Sequence, residues 1–444
     1  MDNFKNKKVL VIGMGKSGIA AAQVLKKRQA IVTACDIKNP DLMPEAIEEL
    51  HKDNINVLVG SYPDLVEENY DIIVVSPGVP LTIPPIQAAL NGNIPVIGEV
   101  ELAYLIKKPN LQMFAITGTN GKTTTTALLQ AILEKGGFNA VVGGNIGNPL
   151  TLLVDEMDDG IIAVEVSSFQ LETTNAFKPY ISSILNITPD HLDRHHTMEH
   201  YVNAKVKIFK NQSKQNFTIL NYDDELVKKL APETRGKVVY FSTKYHLPAG
   251  VFIKDGVITA HIDNNVISLC NTKDVCLKGK HNLENILCAT TIALLAGVDK
   301  VDIISSLKSF KGVRHRLEEV LTLNNVLYIN DSKATNPESA IKAIEAFAQP
   351  IILIAGGKNK GASFNNFARV IKEKVKTLIL LGEAKEEIKS AVMALDYMNI
   401  YEVEDMAEGV ELANKLASTN DVVLLSPACA SWDMFDNYEQ RGDL

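Results

Sequence analysis

A glycine-rich segment in the first third of the chain has the residues needed to hold nucleotide phosphates. Gly118–Thr124 reads Gly-Thr-Asn-Gly-Lys-Thr-Thr and directly follows the apolar run Met113–Thr117. A loop between a strand and a helix points backbone N–H groups at a phosphate, and the helix dipole adds positive potential. Lys122 is placed to reach the outer phosphates, and the Thr123 hydroxyl is placed to bind Mg²⁺. Ile116 stands where the strict pattern has its first glycine, and Gly118 supplies the flexibility instead.

Two later segments offer metal ligands at the ends of apolar runs. Glu165 closes the run that begins at Ile161, and His191 lies in the turn after Ile181–Asn186. Side chains at the carboxyl ends of parallel strands face the ligand crevice. Taken alone, Glu165 also fits a surface carboxylate and His191 a hydrogen-bonded loop residue. Beside a phosphate loop, oxygen ligands with one imidazole indicate Mg²⁺, whose remaining ligands are water and substrate phosphates.

The N-terminus carries a second glycine pattern, Gly13–Gly18, which reads GxGxxG after an apolar run. Asp36 follows at the end of the next apolar run, which is the layout of a dinucleotide-binding unit. The pattern predicts a diphosphate on a helix N-terminus, with Ser76–Pro80 as a further contact. It leaves open a nicotinamide-dependent oxidoreductase, and a non-enzymatic nucleotide-gated interaction module is a third hypothesis.

Three polar loops follow apolar runs in the last third of the chain. They are Asp331–Thr335, Ala355–Gly361 and Leu425–Asp433, which offer cations, hydroxyls and small residues. Asn336 and Pro337 are explained as the cap and first turn of a helix. The three loops on one sheet edge predict an anionic small substrate.

Short apolar runs that alternate with helical stretches must position these loops, and this alternation favours parallel sheets with crossover helices. The predicted strands are Val9–Ile12, Ile31–Cys35, Ile72–Ser76, Met113–Thr117, Ile161–Val166, Ile181–Asn186, Val326–Asn330, Ile351–Ala355, Thr377–Leu381 and Val422–Ser426. Lys237–Cys276 alternates in a β-like way with turn signals, and we predict a small antiparallel insertion there. Tyr201–Phe209 is predicted to be helical, with Lys205 and Lys207 on different faces.

Composition narrows the function further. The 444 residues are 46% hydrophobic and 22% charged, which excludes a disordered or fibrous chain. The net charge of −8 argues against a nucleic-acid binder. The five cysteines are scattered, which predicts reduced thiols. The first residues lack the apolar core of a signal peptide. No run approaches the ~18 apolar residues of a membrane span. We therefore expect a cytoplasmic protein that binds neither nucleic acid nor membrane.

Seven segments together resemble those of the Mur ligases of peptidoglycan synthesis. They read TGTNGKTTT, VEVSSFQLE, NITPDHLDRH, GKHNLEN, HRLE, NDSKATN and SPACASWDMF, and they are spread over essentially the whole chain. The phosphate loop is shared with the folylpolyglutamate synthetases. The segments SSFQLE, NDSKATN and SPACAS point to the family member that adds D-glutamate.

The resemblance implies an α/β protein of three domains. Residues 1–98 would be a Rossmann-like domain that binds the UDP substrate, and residues 99–312 a central P-loop-type ATPase with a mostly parallel sheet. Residues 313–444 would be a Rossmann-like domain that receives the amino acid. The implied activity is ATP-dependent addition of D-glutamate to UDP-N-acetylmuramoyl-L-alanine through an acyl phosphate. The expected enzyme is a monomer that uses ATP and two Mg²⁺ ions.

The resemblance also assigns roles residue by residue. The UDP substrate would contact Gly15, Lys16, Ser17, Asp36, Lys38, Ser76, Pro77, Gly78, Asn145 and His191. ATP would contact Gly118, Thr119, Asn120, Gly121, Lys122, Thr123, Thr124, Asn282, Asn285, Arg316 and Asp331. D-Glutamate would contact Lys333, Thr335, Lys360, Ser431 and Tyr438. The implied metal ligands are Thr123, Glu165, His191 and Lys205, with Lys205 carrying a CO₂-derived carbamate, and the implied catalytic residues are Lys122, His191 and Lys205. After Asp36 the family usually has Thr-Arg, whereas this chain has Ile37 and Lys38.

Overall fold

The computed structural model describes residues 4–63, 69–262, 265–277, 279–359 and 361–444, apart from the side chains of residues 193, 280 and 281. The chain divides into two compact units, Met1–Phe310 and Lys311–Leu444. The first unit contains two sheets and the second unit contains one. Among the described residues, no helix is both long and apolar enough to cross a membrane.

The first sheet has five parallel strands in the order β3-β2-β1-β4-β5. Its strands are β1 (Lys8–Ile12), β2 (Ile31–Asp36), β3 (Asn56–Val59), β4 (Ile72–Val75) and β5 (Val96–Gly98). Its helices are Lys16–Lys27, Pro44–Lys52, Pro84–Asn91 and Glu99–Ile106. The chain leaves β1 on one side for β2 and returns on the other side as β4, so a ligand crevice is expected at the carboxyl ends of β1 and β4.

The second sheet has nine strands in the order β14-β13-β12-β11-β10-β9-β6-β8-β7. They are β6 (Leu111–Thr117), β7 (Ala140–Gly144), β8 (Gly160–Glu165), β9 (Ile181–Ile184), β10 (Phe217–Asn221), β11 (Lys237–Ser242), β12 (Gly250–Lys254), β13 (Val257–Ile262) and β14 (Asn265–Asn271). The accompanying helices are Lys122–Lys135, Leu150–Glu156, Ser168–Glu172, Leu192–His195, Met198–Val206, Glu225–Lys229, Lys280–Leu295 and Lys300–Ser309. The strands β6 to β12 pair in parallel.

Both faces of β6 are buried, which explains its continuous apolar sequence. Phe114 and Ile116 pack into one core with the helices Lys122–Lys135 and Lys280–Leu295. Met113 and Ala115 point to the other face and pack with residues such as Phe177 and Phe209. Because β6 is packed on both faces, the position of its carboxyl end, where the phosphate loop begins, is fixed.

The predicted antiparallel insertion at Lys237–Cys276 is only partly right. The strands β12, β13 and β14 do form antiparallel pairs. The turn between β12 and β13 has positive φ at Asp255 and Gly256, as a tight hairpin requires. However, β11 pairs in parallel with β10, and β12 pairs in parallel with β11. The segment therefore extends the central sheet.

The second unit contains a six-stranded sheet in the order β15-β16-β20-β17-β18-β19. Its strands are β15 (Glu318–Leu323), β16 (Val326–Asn330), β17 (Ile351–Gly356), β18 (Val375–Leu381), β19 (Ile400–Glu402) and β20 (Val422–Leu425). Its helices are Pro337–Glu345, Asn365–Lys374, Lys385–Met393, Met406–Leu416 and Tyr438–Asp443. Only β15 runs antiparallel to its neighbour. As predicted, Asn336 caps the first helix by accepting the Ser339 N–H at 2.8 Å, and Pro337 lies in its first turn.

Candidate active site

The N-terminal glycines build the turn between β1 and its following helix. A side chain on Gly18 would meet the Gly13 carbonyl oxygen at 1.8 Å, so this position brings the helix against the strand. Gly13 has φ +96° and packs against Ser76. Gly15 has no atom within 4 Å of where a side chain would start, so its backbone faces open space. The turn therefore leaves the N-terminus of the helix accessible to a ligand.

A cleft of about 490 Å³ opens above this turn, at the carboxyl ends of β1, β2 and β4. Eight residues predicted for UDP-substrate binding line it: Gly15, Lys16, Ser17, Asp36, Lys38, Ser76, Pro77 and Gly78. Asn145 and His191 were predicted for the same substrate and do not line this cleft. We call Ser76–Pro80 the UDP loop.

Asp36 has a structural role in the cleft wall. One carboxylate oxygen accepts the Met14 N–H at 2.9 Å and the other accepts the Lys38 N–H at 3.0 Å. Ser76 donates its hydroxyl to the Gly13 carbonyl oxygen at 2.8 Å. These bonds fix the glycine turn to the strands on both sides of β1.

The phosphate loop between β6 and its following helix is held by the segment after β9. Asn186 accepts the Thr119 N–H through its backbone oxygen at 3.0 Å and the Asn120 N–H through its side chain at 2.8 Å. Gly121 has φ +83°, a left-handed conformation that favours glycine. The helix that starts at Lys122 then presents its first N–H groups, which have no acceptor within the helix.

Lys122 folds back over its own loop. Its ammonium group donates to the carbonyl oxygens of Gly118 at 2.8 Å and Thr119 at 2.9 Å. Thr123 and Thr124 are buried beside it at the start of the helix. The loop thus carries the cation and hydroxyls that its sequence predicts.

Lys205 lies beneath the same loop and is 1% exposed. Its Nζ donates to the Gly118 carbonyl oxygen at 2.9 Å and lies 4.6 Å from the centre of the Tyr201 ring. The Tyr201 hydroxyl in turn lies 3.1 Å from the Thr119 hydroxyl. Burial holds the pKa of Lys205 well below its usual range, and the Lys122 charge lowers it further.

Glu165 ends β8 next to β6, with its backbone paired to Ile116. Its side chain is 2% exposed, and one oxygen accepts the Asn145 amide at 2.8 Å. The other oxygen is buried without a hydrogen-bond partner in the described part of the chain. A buried carboxylate oxygen with no donor fits a cation ligand, because an unpaired buried charge is unfavourable.

His191 stands in a left-handed conformation with φ 53° at the start of a short helix. Its ring is about half exposed, 3.8 Å from the Asp190 carboxylate and 4.8 Å between ring centres from Phe169. Among the residues that the structure describes, no three His, Cys, Asp or Glu side chains are grouped to hold a metal. A metal here would need the Thr123 hydroxyl, a modified Lys205 or substrate oxygens as further ligands.

The predicted nucleotide contacts Asn282 and Asn285 meet the phosphate-loop helix. Asn285 accepts the Thr125 hydroxyl at 3.2 Å and donates its amide to the Asn282 side chain at 3.1 Å. A side chain on Gly121 would come within 2.1 Å of the Asn285 side-chain oxygen. The helix Lys280–Leu295 therefore packs directly against the turn that presents Lys122.

In the second unit, Asp331 directly follows β16 and is 5% exposed. It accepts the Ser426 hydroxyl at 2.8 Å and the Leu317 N–H at 3.2 Å. Burial raises the pKa of Asp331 to about 6, while the Ser426 hydrogen bond and the Arg316 charge oppose that rise. Asp331 thus joins the ends of β16 and β20.

Among the residues predicted for D-glutamate, Lys333, Thr335 and Ser431 lie on loops of this same sheet edge, and Tyr438 begins the helix Tyr438–Asp443. The Lys333 ammonium lies 5.4 Å from the centre of the Tyr438 ring. Ser431 is buried and Thr335 is partly exposed. Lys360, predicted for the same ligand, lies outside the described residues.

Arg441 ties two of these loops together, and the sequence alone did not indicate it. Its guanidinium is 2% exposed and donates to the Ser332 hydroxyl at 3.0 Å, to the Ser332 carbonyl oxygen at 2.7 Å and to the Cys429 carbonyl oxygen at 3.1 Å. Burial lowers the pKa of Arg441 to about 10. Ser332 precedes Lys333, and Cys429 lies two residues before Ser431.

Sequence reasoning also missed Tyr62, Asn186 and Arg194. Tyr62 lines the N-terminal cleft and follows the short strand β3, which was not predicted. The rule that binding residues follow parallel strands would have found Tyr62 once β3 was recognised. No sequence signal distinguishes the loop-holding role of Asn186.

Comparison with known proteins supplies the family context. Residues 7–98 match the Mur ligase MurD-like N-terminal domain, residues 116–293 the Mur ligase middle domain, and residues 315–429 the Mur ligase glutamate ligase domain. The UDP-N-acetylmuramoylalanine–D-glutamate ligase of Pelotomaculum thermopropionicum is 46% identical over 445 residues, covering 100% of this chain and 97% of the relative. The protein of the same name from Clostridioides difficile is 45% identical over 442 residues, covering 99% and 97%.

Two solved structures share the fold at lower identity. UDP-N-acetylmuramate–alanine ligase from Thermotoga maritima has a TM-score of 0.56 at 21% identity, over 95% of this chain and 96% of that one. A pseudomurein peptide ligase type C from Methanothermus fervidus has a TM-score of 0.54 at 21% identity, over the same shares. These likenesses support the three-domain α/β fold alone.

Proposed function

The chain belongs to the Mur ligase family, and from this premise we propose that it joins D-glutamate to UDP-N-acetylmuramoyl-L-alanine at the expense of ATP. Relatives named UDP-N-acetylmuramoylalanine–D-glutamate ligase are 42–46% identical over essentially the full chain. Membership of this family argues against the two alternative hypotheses, a nicotinamide-dependent oxidoreductase and a nucleotide-gated interaction module.

The observation that carries the catalytic part of the proposal is the burial of Lys205 against the phosphate loop. Burial lowers the pKa of Lys205 and so favours the neutral amine, which can attack CO₂ and form a carbamate with loss of a proton. That change would turn a buried amine into an anionic oxygen ligand, which is the type that Mg²⁺ prefers.

The residues present fit a magnesium site of the kind the family resemblance implies. The unpartnered oxygen of Glu165, the Thr123 hydroxyl, His191 and a carbamate on Lys205 would supply its protein ligands. We propose two ions, with ATP oxygens and water completing their coordination. When bound, Mg²⁺ would neutralise the negative charge that builds on the transferred phosphoryl group.

The phosphate loop then prepares ATP for attack. Gly121 and the first N–H groups of the following helix would hold the phosphates, and Lys122 would exchange its present carbonyl partners for the outer phosphates. The alanyl carboxylate attacks the γ-phosphorus and ADP leaves, which gives an acyl phosphate. We assign Asn282, Asn285, Arg316 and Asp331 to the rest of the nucleotide.

The acceptor would bind to the first unit and the amino acid to the second unit. The N-terminal cleft would hold UDP, with its diphosphate on the helix start at Lys16. Asn145 and His191 would contact the alanyl end, and His191 is a candidate base for the incoming amine. Lys333, Thr335, Lys360, Ser431 and Tyr438 would hold D-glutamate, whose amine attacks the acyl carbon and expels phosphate.

The proposed substrates also indicate where the enzyme acts in the cell. ATP and a UDP-linked acceptor are small cytoplasmic molecules, so we propose that the enzyme is cytoplasmic and needs neither nucleic acid nor membrane. We also propose that it is a monomer.

Phosphate release from purified protein tests the proposal. It should require ATP, UDP-N-acetylmuramoyl-L-alanine and D-glutamate together, and Lys122→Ala should abolish it. Release without the acceptor, or substrate-dependent nicotinamide reduction, would contradict the ligase assignment. Tight ATP binding with no turnover under any combination of substrates would favour the interaction module.

A further inference from the structure

Arg194 makes three contacts that none of the assigned roles uses. It follows His191 by three residues in the short helix Leu192–His195. One guanidinium nitrogen donates to the Pro77 carbonyl oxygen of the UDP loop at 3.2 Å. Another nitrogen pairs with the Glu172 carboxylate at 3.1 Å. The guanidinium carbon lies 4.1 Å from the centre of the Phe169 ring.

The partners of Arg194 belong to a wider polar network. The second oxygen of Glu172 lies 3.2 Å from the Nδ1 atom of His195, and the Nε2 atom of His195 lies 2.9 Å from the Ser168 hydroxyl. The rings of Phe169 and His195 stack with their centres 5.3 Å apart. The helix Ser168–Glu172 therefore holds the turn that carries His191 at several points.

The UDP loop is on the other side of the same guanidinium. Pro77 lines the cleft proposed for UDP, and together with Arg194 and Phe169 it also lines a small gap between the first sheet and the helix Ser168–Glu172. A planar guanidinium can bond two acceptors in fixed directions while its face lies on an aromatic ring, whereas an ammonium has neither a planar face nor donors in a fixed fork. One side chain thus sets the distance between the UDP loop and the His191 turn.

We propose that Arg194 is a positioning residue that couples the UDP end of the acceptor to its reacting end. By holding Pro77 in register with the His191 turn, it places the alanyl carboxylate of a bound acceptor at the phosphate loop. The inference rests on the proposed function, because it concerns the path of that acceptor. It predicts that UDP-N-acetylmuramoyl-L-alanine binds more tightly than UDP alone, and that the difference depends on the position of Pro77 relative to the His191 turn.

The matched control is another arginine pair in the same unit. Arg28 bonds Asp155 at 2.6 Å and joins the helix Lys16–Lys27 to the helix Leu150–Glu156. The side chains of Arg28 and Arg194 are equally exposed at 23%. Arg28→Gln therefore removes an arginine–carboxylate pair of similar burial, away from the cleft.

The experiment measures calorimetric affinities for UDP and for UDP-N-acetylmuramoyl-L-alanine, together with the KM of each substrate. Arg194→Gln should weaken binding of the full acceptor about tenfold and raise its KM by a similar factor, while the affinity for UDP changes less than about threefold. Arg194→Lys should recover only part of that loss. Arg28→Gln should leave both affinities and all KM values unchanged, and the KM values for ATP and D-glutamate should hold in all variants.

Three results would overturn the inference. Equal weakening of UDP and the full acceptor would mean that Arg194 only supports the cleft wall. Wild-type behaviour of Arg194→Lys would mean that charge suffices and the two-acceptor geometry is irrelevant. Unchanged acceptor affinity in Arg194→Gln, with an active wild-type enzyme, would reject the coupling. A wild-type protein that makes no product would instead reject the proposed function.

Discussion

The side-chain nitrogen of Lys205 donates a hydrogen bond to the backbone carbonyl oxygen of Gly118 over 2.9 Å. The contact joins a buried lysine on the helix Met198–Val206 to the first residue of the phosphate loop. Burial lowers the pKa of Lys205, which favours the neutral form of the amine. The proposed carbamate therefore has a physical origin in this chain.

Removal of the Lys205 side chain should nearly abolish turnover. We expect Lys205→Ala to lower kcat about 100-fold or more, which corresponds to about 3 kcal/mol of transition-state stabilisation. Gentle mass spectrometry of the wild-type protein in bicarbonate should show the added CO₂, and the variant should lack it. Lys210→Ala removes an exposed lysine five residues later and should behave as wild type. Full activity in Lys205→Ala, with no adduct in the wild type, would reject the metal-ligand role.

The conformation of Gly121 should control ATP binding. In Gly121→Ala the new Cβ would start 2.1 Å from the Asn285 side-chain oxygen, so Asn285 must move and the loop must shift. We expect the KM for ATP to rise at least about tenfold, or about 1.4 kcal/mol, with little change in acceptor affinity. Gly137 has a similar φ of +81° and open space around its Cβ position, so Gly137→Ala carries the backbone strain alone. If both variants raise the KM for ATP equally, strain rather than the Asn285 contact is responsible.

Arg441 should affect D-glutamate more than the other substrates. Arg441→Lys keeps a buried cation but loses part of the three-acceptor link between the Ser332 and Cys429 loops. We expect the KM for D-glutamate to rise about tenfold while the KM for ATP is retained. Asn437→Ala removes the cap of the same helix, at about 1 kcal/mol of stability, and should leave the KM for D-glutamate unchanged. Matching kinetics in the two variants would show that only helix stability matters.

Glu99 should make stability depend on pH. It is buried, and one oxygen accepts both the N–H (2.6 Å) and the hydroxyl of Thr151, while burial raises the pKa of Glu99 to about 7. Between its usual pKa of 4.5 and about 7, the folded state holds a proton that the unfolded state has released, so stability falls as pH rises through this window. Glu99→Gln mimics the protonated acid and should remove that fall, which is roughly 3 kcal/mol at most.

Urea unfolding followed by circular dichroism at pH 5 and pH 8 measures this effect. The wild type and Glu99→Gln should diverge as pH rises, with the variant more stable at pH 8. Glu101→Gln is the contrasting variant, because the Glu101 carboxylate accepts the N–H groups of residues 175–177 and an amide cannot accept all of them. It should lose stability. Parallel wild-type and Glu99→Gln profiles would contradict the assignment.

The strands that carry the site were predictable because they are buried on both faces. Runs such as Val9–Ile12 and Met113–Ile116 contain only apolar residues, and the glycine loops follow them closely. The predicted strands of all three sheets appear within one or two residues of their expected ends. The strands β3, β5, β7, β10, β15 and β19 were not predicted. They have three to six residues, and mixed burial, as in β3 and β7, weakens the pattern further.

Tertiary contacts account for the rest of what the sequence did not reveal. Ala-Lys-Val-Lys predicts a helix, but only packing decides that Lys205 turns under the phosphate loop. Arg194 and Arg441 bond backbone carbonyl oxygens that are distant in the sequence. Because every residue has such an oxygen, the sequence does not indicate which one an arginine will bond. The Lys237–Cys276 segment was predicted as an antiparallel insertion, and the parallel pairing of β11 and β12 was missed because local alternation does not reveal which edge a strand joins.

The most direct test of the central claim is the identity of the product formed from competing amino acids. Purified protein with ATP and UDP-N-acetylmuramoyl-L-alanine would receive equimolar D-glutamate, L-glutamate, L-alanine and meso-diaminopimelate, and chirally resolved mass spectrometry would identify the product. The account predicts a product that contains D-glutamate, with one phosphate released per product. A product containing any of the other three amino acids instead would contradict it.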